Sequence, residues 1–138
     1  MLPAVAFKGM HIRTQADAME MVGAIARRSR YGDVAAAYLN EDGEIVELFL
    51  FSGGADHLPE LVYFTCCADE PEVVRVVLIT DRTGEVSADR PDDELLWMEL
   101  HANAAEGATQ LMDWFVTSGR YAFSVAEFAP IPSGWSEG

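Results

Sequence analysis

The sequence predicts a mixed α/β domain, one β-sheet with helices packed on it. Three observations predict it. Apolar residues recur at helical spacing near residues 15–28 and 91–106. Two pairs of β-favouring runs turn back on themselves at Asn40–Glu41–Asp42–Gly43 and at Ser118–Gly119. Between them lies an apolar strand, Val76–Val77–Leu78–Ile79, running into a charged loop and then a helix start at Pro91–Asp92–Asp93. A buried strand that ends in polar groups before a helix N-terminus is where many α/β folds place their chemistry.

In chain order, Thr14 is the cap of a first helix, with Asp17 in its first turn. Ala18, Met21, Val22 and Ile25 make its apolar face, and it ends near Arg28–Ser29. Residues 34–39 (VAAAYL) and 44–51 (EIVELFLF) form a hairpin. Its second strand is so apolar that coverage on both faces is expected. Ser52–Gly53–Gly54 breaks it. Residues 58–67 (LPELVYFTCC) read as a short helix, with Pro59 in its first turn, although Val62 to Thr65 also suit a strand. A third strand covers 73–80. The helix from about Pro91 to Glu106 turns Leu95, Leu96, Leu100 and Ala104 toward the core, and Gly107 ends it. Met112–Thr117 and Arg120–Val125 form a second hairpin. The stretch 1–129 is one domain, and 130–138 is a loosely ordered tail.

At 138 residues and 50% hydrophobic content, the chain can bury a full core. No apolar run approaches the roughly 20 residues of a membrane span. The N-terminus lacks the charge order of a signal peptide, so a cytoplasmic protein is expected. The net charge of −14 opposes binding to phosphate backbones or anionic lipid. It gives solubility and leaves a basic protein partner open. Arg27, Arg28 and Arg30 gather near a helix end, where cations suit the dipole. Cys66 and Cys67 are adjacent, a spacing that fits neither a zinc site nor a staple between distant segments.

The order of elements, with the segments AAAYLNEDGEIVELFLFSGG and Asp113–Trp114–Phe115–Val116–Thr117–Ser118–Gly119–Arg120–Tyr121, resembles the RadC-type JAB/MPN domain across about residues 15–125. The closing segment is one residue shorter than the family's. The resemblance implies a three-layer α/β (α+β) architecture of the cytidine-deaminase-like kind, a mixed sheet flanked by helices. It also implies where a zinc site would lie. Catalytic members carry His-x-His-Pro after the central strand, Ser-x-x-Asp at the next helix start, and an earlier Glu. Two imidazoles and a carboxylate hold the metal, and the Glu deprotonates its water. Laid on this chain, those positions are Thr80, Arg82 and Thr83, then Arg90 and Asp93, with the Glu near Gly32.

Only Asp93 survives, and an acid at a helix start needs no metal to explain it. An arginine cannot become a ligand. At about 4 Å and an effective dielectric near 20, each pair of unit charges is worth roughly 4 kcal/mol, and a dication doubles it. Arg82 and Arg90 therefore repel zinc, and either is placed to bridge to Asp93. No metal or other cofactor is expected.

The remaining candidates are weaker. His11, His57 and His101 lack metal-ligand or catalytic spacing, and Ser52–Gly53–Gly54 is too short for a phosphate loop. Asp81, Glu85, Asp89, Asp92, Asp93 and Glu94 form an acidic stretch without the spacing of a calcium loop. Trp97 and Trp114 are expected in the core. Trp135, flanked by Pro and Gly, is the candidate for an exposed partner or subunit contact. The resulting expectation is a metal-free JAB-like domain acting as a protein-interaction or scaffold module. A hydrolase using the acidic loop is the first alternative. A DNA-repair-associated RadC-type protein is the second, opposed by the charge.

Overall fold

The computed structural model describes residues 7–27, 30–66, 71–82, 92–118, 121–129 and 131–135. Helix α1 (Gln15–Ala26) leads into strands β1 (Val34–Leu39) and β2 (Ile45–Phe51). Helix α2 (Leu58–Cys66), strand β3 (Arg75–Asp81), helix α3 (Asp93–Ala104) and strands β4 (Gln110–Ser118) and β5 (Tyr121–Ser124) follow. The helix reading of 58–66 prevails over the strand reading because Leu58, Val62, Thr65 and Cys66 share one buried face.

The five strands form one mixed sheet in the order β2-β1-β3-β4-β5. Only the β3–β4 pair is parallel, and α3 supplies its crossover. Alternation in the strands divides the core in two. Ala35, Ala37, Val77, Ile79 and Phe115 meet Ala18, Met21, Val22 and Ile25 of α1. Val34, Ala36, Leu78, Trp114 and Val116 meet Leu58 and Val62 of α2 and Trp97 and Leu100 of α3. The molecule therefore has three layers, with α1 on one face and α2 and α3 on the other.

Local chemistry fixes the ends. The Thr14 hydroxyl accepts from the Asp17 amide at 3.1 Å. The Asp17 carboxylate in return accepts from the amides of Arg13 and Thr14, at 3.0 and 3.2 Å. Those backbone donors, Arg13's first, hold the Asp17 carboxyl below its usual range. In the β1–β2 turn the Asn40 side-chain oxygen accepts from the amides of Asp42 and Glu44, at 2.9 and 3.0 Å. Gly43 there has φ +80°, and a Cβ would come within 2.7 Å of the Ile12 carbonyl oxygen. Among the described residues, no helix is long and apolar enough to cross a membrane.

Three expectations need correction. Strand β2 is not covered on both faces: it is the end strand, and Phe49 is 42% exposed. The fully buried strand is β1, all six of whose residues are buried. Leu95 points outward, because the buried face of α3 runs Asp93, Trp97, Leu100, Ala104, and two residues before Trp97 lies nearly opposite on a helix. The tail is packed as far as Trp135. The Gly134 amide donates to the Met112 carbonyl at 2.8 Å, and Trp135 is buried, not an exposed contact residue. Its indole finds an acceptor inside the protein, which removes the reason to stay at the surface.

Candidate functional site

Strand β3, in the middle of the sheet, runs out at Thr80–Asp81, and Arg82 follows beside the start of α3. All three residues are buried, as is Asp93. The backbone of Arg82 is locked to β4: its amide donates to the Thr117 carbonyl at 2.7 Å, and its carbonyl accepts from the Ser118 hydroxyl at 3.3 Å. That anchorage aims the side chain at α3. Arg82 Nη1 donates to Asp93 Oδ2 and Nη2 to Asp93 Oδ1, both at 2.8 Å. This is a two-pronged, charge-assisted pair with both side chains out of water. Cζ of Arg82 also lies 5.7 Å from the centroid of the Trp114 ring.

Thr80 is held from beneath. Its hydroxyl oxygen accepts from Trp114 Nε1 at 2.8 Å. On the other flank the Gly32 amide donates to the Asp81 carbonyl at 2.8 Å, and the Gly32 carbonyl accepts from the Ala55 amide at 3.0 Å. Gly32 sits at φ +86°, in the left-handed region that disfavours a side chain. Its neighbour Asp33 accepts from the amides of Arg30 and Gly53. The turn before β1, the turn after β2 and the end of β3 thus close round a cleft of about 200 Å³. Gly32, Thr80, Asp81 and Arg82 line it, with Tyr31 and Asp56 at its walls.

The structure thus brings together Gly32, Thr80 and Arg82 directly, and Asp93 through Arg82. Arg90 and Thr83 lie outside the described residues, as do Glu85 and Asp89 of the acidic stretch, Arg28 and Cys67. Of the remaining acids, Asp81 is buried, Asp92 is exposed at the N-cap of α3, Asp93 is engaged by the guanidinium, and Glu94 is exposed in the first turn of α3. No group of three or more His, Cys, Asp or Glu side chains among the described residues is arranged to hold a metal ion. The Asp93 carboxylate has both oxygens on Arg82, which can neither give up its proton nor ligate a metal. Gly32 offers no side chain to act as a base.

The other candidates take ordinary places. Arg27 Nε donates to the Gly23 carbonyl at 3.3 Å, a cation on the C-terminal turn of α1. Cys66 is buried in the core on the α2 and α3 side of the sheet. The His101 ring packs edge-to-face on Trp97, with centroids 4.3 Å apart. Its Nε2 is buried without a hydrogen bond among the described residues, and loss of hydration pushes its pKa below the usual value of 6.5.

One polar cluster escaped sequence reasoning. Asp113 is fully buried on the α1 side of the sheet. Its carboxylate accepts from the Ser124 hydroxyl at 2.6 Å, the Trp135 indole at 2.7 Å, the Trp114 backbone amide at 2.8 Å and the Gln15 side-chain Nε2 at 3.5 Å. The register of β4 against β3 shifts between Val76 and Val77, so Met112 is an extra residue and Asp113 is re-aimed inward. The available signal was an acid in the middle of the apolar run QLMDWFV. Comparison with known proteins adds no relative: no family model, no curated protein and no solved structure matches the chain.

Proposed function

We propose that this chain is a non-catalytic, RadC-like JAB domain that acts as a protein-interaction or scaffold module. The order helix, hairpin, helix, strand, helix, hairpin supports the resemblance, since it is the order the family's segments imply. The observation that carries the functional reading is the Arg82–Asp93 pair. It fills the gap between the end of β3 and the start of α3, where catalytic relatives hold a dication. There, two imidazoles and a carboxylate are replaced by a hydroxyl bound to Trp114 and a guanidinium bound to the carboxylate. A fixed positive charge takes over the metal's structural role of tying α3 to the sheet. It supplies neither a Lewis acid nor an activated water.

Elemental analysis after incubation with excess zinc and desalting tests this reading. The expected result is far less than one zinc per chain, unchanged in Asp93→Asn. Stoichiometric zinc that is lost in Asp93→Asn would overturn it. Zinc retained by both forms would place a metal elsewhere and remove the argument from degeneracy.

A further inference from the structure

We propose that the open face of β2 is a docking groove for a basic, extended segment of a partner protein. This rests on the reading of the chain as a contact module and names the surface and the partner chemistry. Because α2 and α3 cover the middle of the sheet, Phe49 on the end strand stays 42% exposed, with Phe51 half-buried beside it and Tyr38 of β1 buried beneath. Tyr38 and Phe49 meet edge-to-face at 5.2 Å, and Phe49 stacks toward Phe51 at 6.3 Å. Tyr38, Val46, Phe49 and Val73 floor and wall a groove of about 170 Å³, with Glu47 and Glu72 on its rim. Through Val46 and Glu72 it continues into a second depression of about 570 Å³, where Glu41, Asp42 and Glu44 join the lining. The charges along both are carboxylates. Lys8, from the turn before α1, already rests 3.5 Å from Glu47, so the chain itself puts a cation on this rim.

The occupant is extended because β2 ends the sheet. Among the described residues, only the Gly9 amide and Met10 carbonyl bond to its outer edge, both at Ile45 (2.9 and 2.8 Å). A strand added beyond them gains main-chain bonds and lays alternate side chains over the aromatic rings. It is basic because acids border an apolar floor. A second copy of this chain would bring the same carboxylates face to face, which opposes edge-to-edge self-pairing.

The test uses the full chain and a fluorescein-labelled octapeptide alternating lysine and valine, with its glutamate–valine counterpart as control. Fluorescence anisotropy should show saturable binding of the lysine peptide alone. The pair Glu47→Gln with Glu72→Gln should weaken it about tenfold, as should Phe49→Ala. The pair Glu94→Gln with Glu99→Gln, removing equal charge on α3, should change it less than about twofold. Should Phe49→Ala fail to fold, the glutamine pairs still decide. Equal losses from both pairs would mean diffuse attraction to an acidic surface, and absence of binding would exclude the groove; either overturns the proposal. The same preparations assayed for zinc separate the two readings. A metal-free protein that ignores the peptide sinks only the docking surface, and stoichiometric zinc sinks the contact module itself.

Discussion

Arg82 and Asp93 are worth more together than either is alone. Truncating one partner leaves the other charged, buried and uncompensated, at a cost of about 3–5 kcal/mol. Replacing both by apolar residues of similar size restores most of that, since the pair's attraction largely offsets its own desolvation. Urea unfolding of Arg82→Met, Asp93→Leu and the double variant measures this. The expected order has both single variants well below the double, and single losses under about 1 kcal/mol would show that the bridge ties nothing. His101 carries a second residue-scale prediction. Its folded-state pKa is depressed by desolvation, so the folded protein resists the proton that the unfolded chain accepts below 6.5. Stability therefore falls as pH drops from about 6.5 toward the lower folded value and is unaffected above that window. Thermal melts at pH 7.5 and 5.5 should show a smaller acid-side loss for His101→Gln than for the parent, and parallel losses would refute the assignment. The three tryptophans complete the picture at this scale. Each indole N–H reaches an acceptor: Trp97 the Ile131 carbonyl, Trp114 the Thr80 hydroxyl, and Trp135 the Asp113 carboxylate.

Elements were legible wherever one residue's local chemistry decided them. Thr14 with Asp17 announces α1, and Asn40 with Gly43 announces the first hairpin, because both signals act within four residues. A salt bridge to Asp93 was legible in part: the sequence offered Arg82 or Arg90 as its partner, and the structure shows it made by Arg82. What the sequence withheld depends on distant neighbours. The run IVELFLF looks like a central strand, yet β1 and not β2 occupies the middle, and strand order is set by which hairpin arm meets β3. Trp135 looks exposed beside Pro and Gly, and only the bulge in β4 reveals that Asp113 waits inside for its N–H. Leu95 looks like core because three leucines fall close together; Trp97, larger and two residues on, takes the inward position instead. The candidate site divides the same way. Arg82 and Asp93 lie on either side of one charged stretch of sequence, but the indole under Thr80 comes from β4 and the turn at Gly32 from the segment before β1.

At the scale of the whole molecule, the balance of 23 acids against 9 lysines and arginines gives two opposite responses to salt. Within the chain, like charges repel across the surface, and folding concentrates them. Raising ionic strength from about 0.01 M to 0.15 M shortens the screening distance from roughly 30 Å to 8 Å, so that repulsion fades. The Arg82–Asp93 pair is buried, and salt screens it little. The exposed Lys8–Glu47 contact contributes only about 0–1 kcal/mol, too little to reverse the trend. The melting temperature is therefore expected to rise with sodium chloride over this range, by a few degrees for a domain of this size. Attraction between the acidic rim of β2 and a basic segment weakens under the same screening. A protein whose melting temperature climbs with salt while its hold on a lysine-rich peptide loosens is using its surface charge for recognition at the expense of stability. A melting temperature that falls with salt would mean that attractive surface pairs outweigh the net repulsion, and the acidic excess would then need a different physical explanation.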